Sequence, residues 1–331
     1  MDSLGTADRA SVFEEHRPRL FGLAYRLLGS ALDAQDTVQS AYVSWHAADW
    51  VEAPGAWLSK VVTNLCLNQL TSARARRDTY PGPWLPEPVL TETGVLDPLE
   101  TVVQRESMSM AFLLLLERLT PTERAVFVLR EAFDHSHTEI ADILDIDAAH
   151  SRQLYRRARA HLAGRRKRFT TDEFRHRRMV TAFLSAATSG DAARLHRLLA
   201  DDVVAWTDGG GATAARRPIV GRERVLRYLL GMGRRPESSR ITVDTAMVNG
   251  ELSVLAFDGD RLAAVVTVEL TDSRIVAVRM IVAEAKLAFA AATVDQLVDN
   301  ASHSANQLGL PCRGDLPGAR IHSTGVRSIR P

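Results

Sequence analysis

The chain has 331 residues, of which 46% are hydrophobic and 24% charged, and its formal net charge is +1. That length calls for two or three domains, and the balance is that of an ordinary globular protein rather than a disordered or membrane-embedded one. The near-zero total hides segregation: acids gather in residues 86–106, bases in 74–77 and again in 152–178, and local patches set the field that a phosphate backbone meets. No apolar signal core opens the chain, and the leucine run 113–116 is far too short to span a bilayer, so a cytoplasmic protein without a membrane partner is expected. Cys66 and Cys312 lie far apart in unlike surroundings, which argues against a structural disulfide.

Residues 8–78 read as an all-helical domain. Phe13, Leu20, Leu23, Ala24, Leu27 and Leu28 form one apolar face, broken at Gly29-Ser30; Val38, Ala41, Tyr42 and Trp45 begin another. After the Pro54-Gly55 turn, Trp57, Leu58, Val61, Val62, Leu65, Cys66 and Leu70 form a third, which runs into the basic exit Arg74, Arg76 and Arg77. Residues 79–105 are a proline-rich linker, because Pro81, Pro83, Pro86, Pro88 and Pro98 interrupt helix and sheet alike. It nevertheless holds Trp84-Leu85-Pro86-Glu87-Pro88, and large apolar side chains in a spacer suggest a docking peptide.

Helices resume at about Leu99 and fill a second helical domain, 106–168. Thr120-Pro121-Thr122-Glu123 is a helix start with a capping box. Ile140, Ala141, Ile143 and Leu144 recur at helical spacing, Asp145 suits the left-handed turn that follows, and Asp147 supplies the next cap. The succeeding helix turns Leu154 and Ala158 inward and His150, Arg152, Gln153, Arg156 and Arg157 outward. This is the helix-turn-helix pattern of a major-groove reader. Arg152, Gln153 and Arg156 are the base-reading candidates, since Arg pairs with guanine and Gln with adenine; His150 and Arg157 suit phosphates. In the first domain Asn64 and Asn68 offer polar edges, with charge from Arg74, Arg76 and Arg77. Trp50, in the loop 46–55, is placed to stack on unpaired bases, whereas Trp45 and Trp57 read as core. The run 165–168 is a phosphate-facing extension or a hinge.

Residues 171–290 read as an α+β domain: helices at 174–189 and 192–199, a strand at 203–206, a turn Asp208-Gly209-Gly210-Gly211, a helix at 221–230, then an antiparallel meander with strands at 241–248, 252–257, 262–270 and 275–282. The sheet is expected to curve. The segment 291–331 reads as a weakly ordered tail.

With these domains in hand, residues 11–165 resemble bacterial sigma factors of the extracytoplasmic-function (ECF) type. The segment 33–42, DAQDTVQSAY, is similar to the helix that grips the clamp helices of the RNA polymerase β′ subunit, which assigns Asp33, Asp36 and Gln39 to polymerase binding; the family usually has acids at Gln35 and Ser40. The segment running into Ser72-Ala73-Arg74 is similar to the helix that recognises the minus-10 promoter element, and the helix-turn-helix to the reader of the minus-35 element. Ser151 stands where an apolar residue is usual, and Asp145 where the turn is often glycine. The pairing of Trp84, Leu85, Pro86, Glu87 and Pro88 with Asp208, Gly209, Gly210 and Gly211 resembles the signatures of the group that carries a SnoaL-like domain at its C-terminus. That group also tends to have Asn-Pro-Asp-Lys-Leu after the last strand, of which only Lys286 and Leu287 remain here. The resemblance implies a promoter-directing polymerase subunit regulated by its own C-terminal domain.

The rival reading makes the C-terminal domain a ligand-binding or catalytic protein and the DNA-binding part an accessory, with Asp208, Asp202, His196 and Asp244 as candidate acids or bases. The strands' inward residues Val254, Ala256, Ala264, Val266, Val276 and Val278 are apolar, which suits a packed core or a small apolar ligand better than proton transfer. No metal-ligand spacing or phosphate-binding glycine motif occurs, so no enzyme, cofactor or metal is expected.

Overall fold

The computed structural model describes residues 6–78, 80–91, 107–163, 173–211, 214–271 and 274–307. The expected helix start near Leu99, the basic run 165–168 and Cys312 lie outside these residues.

Three helices form the first domain: α1 (Thr6–Leu28), α2 (Ala31–Ala47) and α3 (Pro54–Asp78). Gly29, at φ 68°, turns the chain between α1 and α2, and the Ser30 side chain caps α2 by accepting from the Asp33 amide. Trp45 is buried and Trp57 packs partly buried against the same core, while Trp50 stands 66% exposed. The second domain comprises α4 (Met110–Leu116), α5 (Pro121–Glu131), α6 (His137–Leu144) and α7 (Ala148–Leu162), with capping boxes from Thr120 and Glu123 on α5 and from Ser136 and Glu139 on α6. The α6–α7 turn is made by Asp145 at φ 53°, ψ 46°, and Asp147 caps α7.

The two helical domains share one apolar core, running from Phe13 and Leu58 to Phe127 and Leu162. Polar contacts reinforce it. The buried Arg124 guanidinium of α5 donates to the Leu27 carbonyl at the end of α1 (2.7 Å), where the helix dipole favours a cation. Lys60 of α3 donates to the Asp142 carbonyl and to Asp145 Oδ1 of the helix-turn-helix (2.8 and 2.7 Å).

The third domain begins with α8 (Glu173–Ser189) and α9 (Ala192–Leu198), followed by β1 (Leu199–Asp208), β2 (Ile219–Val220), α10 (Arg222–Gly233), β3 (Ile241–Val248), β4 (Glu251–Asp258), β5 (Arg261–Thr271), β6 (Arg274–Ile281) and α11 (Glu284–Gln307). Its sheet has the order β2-β1-β6-β5-β4-β3. Strands β3 to β6 form the expected antiparallel meander, but β1 runs parallel to β6, because the fourth strand of the meander returns in the direction of β1; the sheet is therefore mixed. The pairing register shifts at Leu199/Val204, Ala256/Phe257 and Glu269/Leu270, where the ladders are interrupted.

One face of the sheet packs on α8 to α10 through Val180, Phe183, Leu195, Val225 and Leu229, and Val254 and Val278 lie in that cluster. The other face carries Leu255, Phe257, Val265 and Ile281 and packs on Leu287, Ala290 and Val294 of α11 and on Leu85 and Leu90 of the linker. This corrects two expectations. Residues 291–307 belong to a helix rather than a loose tail, because apolar positions three and four apart give α11 a face to bury. The linker is not wholly unpaired either: Leu90 bridges Val248 on the edge strand β3, and the Thr91 amide donates to the Met247 carbonyl (2.9 Å).

Candidate interdomain and nucleic-acid interface

Residues 80–91 cross from the first domain to the third, and alternate segments of this stretch face opposite partners. Asp208, at the end of β1, is fully buried. Its Oδ1 accepts from the Tyr80 hydroxyl (2.5 Å) and the Gly210 amide (3.3 Å), and its Oδ2 from the Leu85 amide (2.8 Å) and Lys286 Nζ (2.6 Å). Lys286 also donates to the Leu85 carbonyl (2.5 Å), and its ammonium lies over the rings of Tyr80 and Trp84, 4.7 and 4.4 Å from their centroids. A buried carboxylate is thus matched by one ammonium and several donors, the condition under which buried charge is tolerated. Burial, and the carboxylate that accepts its proton, push the Tyr80 phenol well above its ordinary range.

The glycines make room for this contact. Gly210 has φ 59°, and a Cβ there would stand 3.1 Å from that of Ala283; Gly211 has φ 94°, and its Cβ would meet Pro81 at 3.3 Å. Gly209 is buried beside them.

Glu87 faces the other way. Its Oε2 accepts from the amides of Ala31 and Leu32 at the start of α2 (2.7 and 3.1 Å), and its own amide donates to the Gly29 carbonyl (2.9 Å). Burial raises the Glu87 carboxyl above its usual range, while those amides and Lys286 pull the other way. Pro86 and Pro88, both buried, flank it and hold its backbone extended. Trp84 and Leu85 therefore engage the third domain, and Glu87 the first.

On α7, His150, Arg152, Gln153, Arg156 and Arg157 are all exposed, while Leu154 and Ala158 are buried. Ser151 is buried too, and in place of an apolar contact it shares a hydrogen bond with His137 Nδ1 (2.9 Å). On α2, Asp36 and Gln39 are exposed and Asp33 is half-buried; Leu32 and Val43 extend the same open face, 38% and 62% exposed. On α3, Asn68 is exposed and Asn64 half-buried. Arg74, Arg76 and Arg77 lie on its last turns, where side chains are outside those described. His196 faces solvent against Glu223 (3.2 Å) and Asp202 is exposed; Asp244 accepts from the Thr245 amide, and Asp208 is committed to the linker. These four acid-base candidates are not brought together around a common point.

The family model of sigma-70 region 2 matches residues 12–76, that of sigma-70 region 4 residues 109–162, and that of the SnoaL-like domain residues 180–294. The ECF RNA polymerase sigma factor SigJ of Mycobacterium tuberculosis is 39% identical over 246 residues, 73% of this chain and 79% of that one. The chain belongs to the ECF RNA polymerase sigma factors. A probable ECF sigma factor from the same organism, SigI, is 30% identical over 282 residues, 82% of this chain and 92% of its own. The crystal structure of SigJ superposes with a TM-score of 0.68 at 32% identity, covering 85% of this chain and 98% of that one. In this sigma factor the first domain is region 2, the second is region 4, and the SnoaL-like domain is fused behind them.

Tyr80 and Asn249 escaped the sequence reading. Tyr80 stands outside the linker motif and Asn249 reads locally as a hairpin turn, so neither betrays its partner in a distant domain.

Proposed function

We propose that this sigma factor engages the β′ clamp helices of core RNA polymerase through Asp33, Asp36 and Gln39, reads the minus-10 element with α3 and the minus-35 element with α7, and is held closed by its own SnoaL-like domain. The observation that carries the reading is a contrast. The polymerase-facing side of α2 and the reading side of α7 lie open to solvent, yet regions 2 and 4 share one core. Two promoter elements roughly 25 base pairs apart are about 85 Å of duplex at 3.4 Å per pair. Region 4 therefore leaves region 2 before both elements can be read, and the linker that would allow this is bound at Asp208 and Lys286.

The third domain acts here as a regulatory clasp without catalysis, cofactor or metal, in the cytoplasm where polymerase works. In transcription with purified core polymerase, truncation after about residue 170 and Trp84→Ala are each expected to change promoter-specific initiation several-fold. Arg152→Ala and Arg156→Ala are each expected to cost about 1–3 kcal/mol of base discrimination. Unchanged initiation by both the truncation and Trp84→Ala would defeat the regulatory reading. Specific DNA binding with no transcription on addition of core enzyme would defeat the sigma mechanism.

A further inference from the structure

We propose that Asn249, in the turn between β3 and β4, is a positioning residue that ties the seating of region 4 to the docking of the SnoaL-like domain. The inference rests on the regulatory reading above but concerns a different contact. Asn249 is fully buried and has φ 56°, a conformation that Asn and Gly tolerate best. An Asn-Gly pair in a hairpin ordinarily leaves its amide in water. This amide reaches three segments instead. Nδ2 donates to the Tyr25 hydroxyl of region 2 (2.6 Å) and to the carbonyl of Met108 just before α4 of region 4 (3.0 Å). Oδ1 accepts from the Val89 amide of the linker (3.1 Å), and the Asn249 amide returns a bond to the Val89 carbonyl (2.8 Å). Tyr25 passes its own proton to the Glu87 carbonyl (2.5 Å), so the network continues into the motif that caps α2.

The bonds described for Asp208 and Lys286 hold the linker to the third domain. At Asn249 a single planar group bonds region 2, the linker and the entrance to region 4 at once. Withdrawing the turn orphans the Met108 carbonyl and the Val89 amide together, and buried groups left unpaired are costly. Release of the third domain at this point therefore loosens region 4 as well as the linker.

The test uses the full chain carrying a fluorophore pair at Glu15 and Ala160, exposed positions on α1 and α7, with hydrogen exchange followed at Val89 and around Met108. Asn249→Gly keeps the left-handed turn and removes the amide; Asn249→Asp keeps size and acceptor but loses both donors. Both are expected to lengthen the inter-region distance and speed exchange at both sites by about tenfold or more. Asp208→Asn is expected to speed exchange in the linker and leave the distance as it was. If Asn249 only shaped the hairpin, Asn249→Gly would be silent, and an unchanged distance in both Asn249 variants overturns the proposal. Should Asn249→Gly abolish cooperative melting of the third domain, Asn249→Asp decides, since it keeps the size and the acceptor while losing the bonds to Tyr25 and Met108; an unchanged distance there is equally fatal. Failure of the regulatory reading would look different: the distance would lengthen while promoter-specific transcription stayed constant.

Discussion

The basic helix α7 and the linker contact at Asp208 both carry charged side chains, but they keep them in opposite surroundings. On α7 the arginines stand in water, where, on the reading proposed above, they would be hydrated before DNA arrives and would steer it at long range. In the clasp, Asp208 and Lys286 are removed from water and, the Gly210 amide apart, the bonds described for them come from residues more than seventy positions away in the chain. Exposed charge can be exchanged for another residue with little harm to the fold. Buried paired charge cannot lose one member without stranding the other, so it acts as a register device whose two halves must be correctly seated.

The largest effect expected from that contrast is at Asp208. Asp208→Ala leaves the Lys286 ammonium buried against two aromatic faces and a carbonyl, and should cost about 3–5 kcal/mol of third-domain stability in urea unfolding. Replacing both members, Asp208→Leu with Lys286→Met, should cost less than the single change. Arg156→Ala, on the open helix, should stay within about 0.5 kcal/mol. Equal losses from Asp208→Ala and Arg156→Ala would erase the distinction.

Glu251, half-buried at the start of β4, sharpens the comparison through pH. Burial pushes the Glu251 carboxyl from 4.5 up to about 7; Arg279 opposes the shift and Glu269 adds to it. A folded-state pKa raised above the unfolded value means that the folded form prefers the proton. Stability from this group is fully present below about pH 4.5 and is lost as pH rises through about 7. The fall should be about 2–3 kcal/mol between pH 4.5 and pH 8, read from urea unfolding at each pH. Glu251→Gln should flatten the profile; an unchanged slope in that variant would assign the pH dependence elsewhere.

Much of this architecture can be read from local pattern. The capping boxes at Thr120 and Ser136, the left-handed Asp145 and the inward Leu154 and Ala158 are encoded within a few residues of where they act. The linker motif and the Asp208 turn are visible as unusual residues, since Trp and Leu among prolines and three consecutive glycines ask for a reason. Their bonding is not visible, because hydrogen bonds between residues more than a hundred positions apart leave no periodicity. The parallel pairing of β1 with β6 is lost for the same cause: strand direction follows from the path of the whole meander. Helix α11 was legible in part, with Leu287, Ala290 and Val294 at helical spacing, but its many alanines and polar residues weaken the apolar stripe.

The smallest expected effect lies where an exposed pair does an interdomain job. Lys60 and Asp145 meet at 2.7 Å with side chains 38% and 73% exposed, so their attraction is that of a surface ion pair, about 0–1 kcal/mol. Asp145 occupies the turn at φ 53°, where glycine would be at least as comfortable. Asp145→Gly should therefore leave the helix-turn-helix folded and its melting close to that of the parent, while removing one contact between regions 2 and 4. The Asp142 carbonyl still accepts from Lys60, which caps the loss. The open population, followed by the same inter-region distance, should rise at most about fivefold in low salt, which corresponds to about 1 kcal/mol. At 1 M salt, where the Debye length is about 3 Å, parent and variant should coincide. The loss of third-domain stability in Asp208→Ala, at a pair shielded from solvent ions, should persist at 1 M salt, and a matching salt dependence at both sites would mean that burial does not separate them.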